Sequence, residues 1–109
     1  MTTVQDIYAH LDALAPFATQ MDFDNSGLLV GDAAAAVTKV MLALDVTEDV
    51  AIQAAQAGAE LILAHHPVIF KARKSLLAGD PAYELARRGI ACIAWHTPLD
   101  AADSGVNDL

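Results

Sequence analysis

Leu61-Ile62-Leu63-Ala64-His65-His66-Pro67 is an apolar run that ends on two imidazoles and a proline. Its first half has the length and character of a buried strand. Pro67 brings no N–H to a ladder and holds His66 extended, so the strand must stop there. Paired imidazoles at the end of a buried strand pack poorly and bind metal ions well. The pattern recurs downstream, where the apolar run Ile90-Ala91-Cys92-Ile93-Ala94-Trp95 leads into His96-Thr97-Pro98-Leu99-Asp100. Two strands that end in metal-type side chains predict one shared site.

The flanking segments say how those strands are connected. Residues 40–46 read as a buried strand. Thr47 then caps a helix whose first turn carries Glu48 and Asp49, where the helix dipole favours acids, and Gly58 ends it. Asp80-Pro81 opens a further helix that runs to about Arg88 and stops at Gly89. Residues 70–77 are basic and amphipathic and read as either a short helix or a loop. Strands alternating with helices imply βαβ units, an α/β fold and a mostly parallel sheet with helices packed on it. Upstream, Val4, Ile7, Tyr8, Leu11 and Leu14 recur at helical spacing. Thr2 with Gln5 fits a capping box and Pro16 stops the pattern, which predicts a helix over residues 3–15. Gly27-Leu28-Leu29-Val30-Gly31 reads as a short strand bounded by glycines. Residues 103–109 look like the cap of one more helix, so residues 1–109 read as a single α/β domain and the N-terminal part of a longer fold.

Composition narrows the function classes. The chain has 109 residues, 55% of them hydrophobic, with 14 acidic against 6 basic residues and a net charge of -8. That length suffices for one core. An acidic surface repels phosphate backbones, which argues against nucleic acid as partner, and it attracts divalent cations. No apolar stretch reaches the ~18 residues of a membrane span. The N-terminus lacks the basic start and apolar core of a signal peptide, so a cytoplasmic, soluble protein is expected. Cys92, the single cysteine, lies inside an apolar run and reads as a buried structural thiol.

In open α/β sheets, ligands bind beyond the carboxyl ends of the strands, and adjacent strands lie about 4.8 Å apart. His65, His66 and His96 all stand at such ends, as does Asp45. Consecutive strand residues point to opposite faces, so His65 and His66 converge only at a bend, or else serve two neighbouring ions. Two ions need a bridging carboxylate, and Asp100 is the best placed. Two-metal sites suit hydrolysis because the ions acidify water and clamp the leaving oxygen. Each feature also has a plainer reading. One histidine of the pair could hydrogen-bond a carbonyl while the other is solvated. Asp45 could cap the following helix as readily as support a metal site. Asp24-Asn25-Ser26 reads as turn chemistry. Lys71, Arg73 and Lys74 read as a solvated basic face, with contact to an anionic substrate as the rival reading. Trp95 reads as packing, and His10 as a surface residue. Neither a Gly-x-x-x-x-Gly-Lys nor a Gly-x-Gly-x-x-Gly run is present, and neither Ser26 nor Cys92 sits in a nucleophile motif.

Asp24-Asn25-Ser26-Gly27-Leu28-Leu29-Val30-Gly31, Leu44-Asp45-Val46-Thr47, His65-His66-Pro67-Val68-Ile69-Phe70, His96-Thr97-Pro98-Leu99-Asp100 and Gly105-Val106-Asn107-Asp108 occur in that order. Together they resemble the Nif-three-like dinuclear metal-centre family, also known as GTP cyclohydrolase 1 type 2 homologues. The resemblance implies His65, His66 and Asp100 as ligands to as many as two divalent ions, with Asp100 bridging; histidine with carboxylate suits zinc, manganese, iron or nickel. It sets His96 beside the metals, as second-layer support or a substrate contact. It further implies a two-part α/β fold whose second part adds a His-x-x-x-Glu motif, and a hexameric ring, so self-association is expected. As function it implies a metal-dependent hydrolase acting on a small, nucleotide-like substrate. The alternative is a non-enzymatic metal-binding scaffold or regulatory interaction protein.

Overall fold

Strands β3 (Leu61–Ala64) and β4 (Ala91–Ala94) run parallel and in register, with Leu61 opposite Ala91 and Ala64 opposite Ala94. This computed structural model describes residues 1–101, with side chains through Leu99. Around the central pair, β2 (Val40–Ala43) pairs parallel with β3, and β1 (Gly27–Val30) pairs antiparallel with β4. The sheet order is therefore β1-β4-β3-β2. The helices are α1 (Val4–Leu14), α2 (Glu48–Ala57), α3 (Pro81–Arg87) and the short α4 (Thr97–Ala101). The α/β fold with a mostly parallel sheet is as expected from the alternation of elements.

The period-two alternation of the central strands divides the core. Ile62, Ala64 and Cys92 face α2 and α3, where they join Ala51, Ala54, Ala82 and Leu85. Leu61, Ala91 and Ile93 face the other way and meet Val4, Leu11 and Phe17. Gly31 follows β1 at φ 110°, and a Cβ there would stand 2.7 Å from the Ala91 Cα and Cβ. Only glycine allows both that backbone and that approach.

Several local expectations hold. Thr47 caps α2 through the Val50 N–H, and Gly58 ends it in the left-handed region. Asp80 caps α3 with Pro81 in its first turn. Cys92 is fully buried. Others shift. Helix α1 is capped by Thr3 with Asp6 and not by Thr2 with Gln5. The Thr2 carbonyl is engaged by the Val37 N–H at 2.8 Å, and a carboxylate at residue 6 accepts the reciprocal bond better than an amide at residue 5. Strand β2 is shorter than residues 40–46 and is not buried on both faces. It is an edge strand covered on one side, so Leu42 stays 72% exposed and Leu44 beyond it 70%. Residues 70–77 form an exposed irregular loop, in keeping with the loop reading. Among the described residues, no helix is long and apolar enough to cross a membrane. The tail motif at residues 103–109 lies outside the described residues.

Candidate metal centre

The ladder of β3 ends at Ala64, and His65 and His66 form a bend. Backbone bonds to the neighbouring strand's extension continue through that bend: the His65 N–H donates to the Ala43 carbonyl at 3.0 Å and the His66 N–H to the Leu44 carbonyl at 2.9 Å. Departure from regular strand geometry is what lets the two rings converge, with centroids 5.0 Å apart. His96, just past the end of β4, meets both edge-on at 4.9 and 5.1 Å. One ligand nitrogen from each of the three lies within 4.8 Å of the others. The parallel register of β3 and β4 is the direct cause, since it brings both carboxyl ends to one level.

Two of the imidazoles are held by carboxylates. His66 Nδ1 lies 2.8 Å from Asp45 Oδ1, and His96 Nδ1 lies 3.3 Å from Asp24 Oδ1. A carboxylate only accepts, so each Nδ1 donates, which in the neutral imidazole places the lone pair on Nε2. Metal-binding histidines are commonly oriented in this way. Asp45 therefore supports His66, while the cap of α2 falls to Thr47.

Asp24 is the site residue that the sequence did not disclose. Its side chain is fully buried. Oδ2 accepts from the Ser26 hydroxyl at 2.7 Å, from the Thr97 N–H at 3.0 Å and from the Thr97 hydroxyl, while Oδ1 accepts from the Asn25 N–H at 2.7 Å. Burial raises its pKa, but the bonds from Thr97, Ser26 and Asn25 outweigh burial and hold it down at about 2. The Ser26 hydroxyl also accepts from the His96 N–H at 3.1 Å. The turn reading of Asp24-Asn25-Ser26 is thus incomplete, because the Asp24 and Ser26 side chains brace the start of α4 while Asn25 Nδ2 donates to the Ile69 carbonyl. The signal was present in three polar side chains directly before a strand. Its meaning depends on the antiparallel register that sets Gly27 opposite Ala94.

Asp100 lies in α4, one turn beyond His96. His10 is exposed, as expected. Trp95 packs, its indole N–H donating to the Ala15 carbonyl at 3.0 Å, and it also walls a cavity of about 220 Å³. Leu42, Leu63, His65 and Leu99 line the same cavity, which makes it an apolar recess touching the histidine cluster.

The donor set fits a divalent ion. Imidazole suits zinc, iron and nickel, and nitrogens around a tetrahedral zinc stand about 3.3 Å apart at bond lengths near 2.0 Å.

A sequence model of the Duf34/NIF3 (NGG1p interacting factor 3) family matches residues 2–109. A Clostridium perfringens protein named GTP cyclohydrolase 1 type 2 homolog is 38% identical over 109 residues, which cover 96% of this chain and 42% of that protein. A Staphylococcus aureus protein of the same name is 42% identical over 107 residues, covering 95% and 29%. Among solved structures, Staphylococcus aureus protein SA1388 superposes with a TM-score of 0.93 at 41% identity, over 98% of this chain and 36% of that one. A Bacillus cereus protein related to NIF3 gives 0.91 at 36% identity, over 99% and 31%. The chain thus spans less than half the length of these relatives.

Proposed function

Because the chain belongs to the Duf34/NIF3 family, we propose that it is the metal-binding part of a metal-dependent hydrolase acting on a small, nucleotide-like substrate. The observation that carries this reading is the convergence of His65, His66 and His96 at the carboxyl ends of β3 and β4, with Asp45 and Asp24 on two of the rings. His65 and His66 hold an ion and His96 closes the cluster. Asp100, one turn along α4, supplies the carboxylate that a second ion would share. When bound, a divalent ion supplies Lewis acidity and lowers the pKa of water at an open position.

The chain's own residues do the rest. Asp45 and Asp24 keep the protons of His66 and His96 on Nδ1, so Nε2 points its lone pair away from the carboxylate. The recess walled by Trp95, Leu42, Leu63 and Leu99 offers an apolar surface for a planar ring beside His65. The relatives' name, GTP cyclohydrolase 1 type 2 homolog, supports a purine nucleoside triphosphate as the first substrate to try. The test is metal-dependent turnover of GTP by the chain, with His65→Ala and His66→Ala alongside. Loss of turnover in both variants supports the reading, and unchanged turnover in both overturns it.

A second reading has its own observation. Leu42 and Leu44 are largely exposed on an open sheet edge, which supports self-association or docking of another protein segment. On that reading the metals brace a scaffold, and their removal breaks assembly while substrate screens stay blank.

A further inference from the structure

Three of the chain's six basic residues, Lys71, Arg73 and Lys74, fall within one short loop of a protein whose net charge is -8. The other three have local roles. Lys39 Nζ donates to the Ala57 carbonyl at 2.7 Å, and Arg87 and Arg88 both pair with Glu84. In the loop, by contrast, neither Lys71 nor Lys74 forms an ion pair among the described residues, and both are exposed. Arg73 is anchored: Nη2 pairs with Asp80, and Nε donates to the Ser75 carbonyl at 3.4 Å. Asp80 in turn caps α3 through the Ala82 N–H at 2.9 Å. The Nη1 donors of Arg73 take no part in these bonds. Arg73, Lys74, Ser75, Ile69 and Leu76 surround an open cavity of about 400 Å³.

This cavity is tied to the histidine cluster. The Ile69 carbonyl accepts from Asn25 Nδ2 at 2.7 Å, and Asn25 adjoins Asp24, which holds His96. Ile69 follows His66 by three residues, so their Cα atoms stand no more than about 11 Å apart. The Ile69 end of the cavity thus adjoins the histidine cluster through Asn25 and Asp24.

We propose that the loop of residues 69–76 binds the phosphate groups of a small soluble ligand, with Lys74 and Arg73 as charged donors and the Ser75 hydroxyl beside them. The site deepens the reading above, in that it names the anionic end of the substrate whose other end meets the histidines, and it rests on that reading only for its connection to chemistry. A guanidinium fixed by a helix cap is preorganised for phosphate oxygens, and a neighbouring lysine adds an unspent point charge.

The test is calorimetric titration of the 109-residue chain in EDTA with inorganic triphosphate, GTP and guanosine. Triphosphate and GTP are expected to bind saturably, and guanosine more weakly. Lys74→Gln should weaken triphosphate binding at least about tenfold, the effect of one charged hydrogen bond, and Lys71→Gln/Lys74→Gln more, whereas Lys39→Gln should leave it unchanged. Binding should also weaken as ionic strength rises. Absence of saturable triphosphate binding, or equal binding in the double variant, overturns the site. Metal content of the same chain, purified and assayed without chelator before EDTA is added, separates the two ideas. A chain that binds triphosphate through Lys74 but holds no metal keeps this site and removes the metal reading. A chain that holds metal yet binds triphosphate without Lys74 does the reverse.

Discussion

Asp24 and Thr97 are joined across most of the chain, the Asp24 carboxylate accepting from both the N–H and the hydroxyl of Thr97 at the start of α4. The same carboxylate holds the ring of His96. One buried group thus fixes both the helix start and a member of the histidine cluster. Asp24→Asn swaps one acceptor oxygen for a donor facing other donors, and is expected to cost about 2–3 kcal/mol. Urea unfolding of the two chains, read as a shift in midpoint at constant slope, measures it.

The sign of the pH dependence follows from the direction of the shift. The folded-state pKa of Asp24 is held at about 2, below its ordinary value of 3.8. The unfolded chain therefore takes up a proton first. The stability contributed by Asp24 is fully present above about pH 4 and is lost as pH falls toward 2. In an acid titration followed by circular dichroism, the wild type should lose stability more steeply than Asp24→Asn in that interval.

Asp45 is exposed and bonds only the ring of His66 among its described side-chain contacts. Its removal should therefore leave folding stability within about 0.5 kcal/mol. Metal affinity should fall about 10–100-fold, because the ring loses its orientation and its fixed proton. Competition with a chromophoric chelator, run beside a urea curve on Asp45→Ala, separates the two effects.

Burial pushes the Cys92 thiol up to about 12, so almost no thiolate exists near neutrality. Its reaction with an aromatic disulfide reagent at pH 8 should be negligible in the folded chain and complete in denaturant. Fast labelling of the native chain would mean that β4 is not in the core.

Gly31 combines a positive φ with close approach to Ala91. Gly31→Ala should destabilise by more than about 2 kcal/mol, since both strain and overpacking act there. Gly58→Ala, with open space around its Cβ, should cost less, and the difference between their urea midpoints checks the contrast.

How far the sequence discloses this molecule depends on the range over which each residue acts. Helix α2 was legible because Thr47, Glu48, Asp49 and Gly58 carry its start and stop locally. Strands β3 and β4 were legible as apolar runs, and the paired histidines as side chains placed at a strand end. The one-sided cover of β2 was not legible, because it depends on where the sheet stops. Asp24 stayed hidden for a similar reason. Its partners Ser26 and Asn25 imitate a turn, while His96 and Thr97 are reached only through the pairing of β1 with β4. Side-chain chemistry within one element reads directly, and chemistry that depends on register between elements does not.

The proposed function stands or falls on a divalent ion held by His65 and His66, with His96 closing the cluster. The most direct measurement is metal content per chain by plasma mass spectrometry, on protein purified without chelator or affinity tag, for wild type and for His65→Ala/His66→Ala. At least one ion per wild-type chain and almost none in the double variant are expected, with circular dichroism showing both folded. A wild-type chain without metal, or a double variant that retains it, would rule out a metal ion on these histidines.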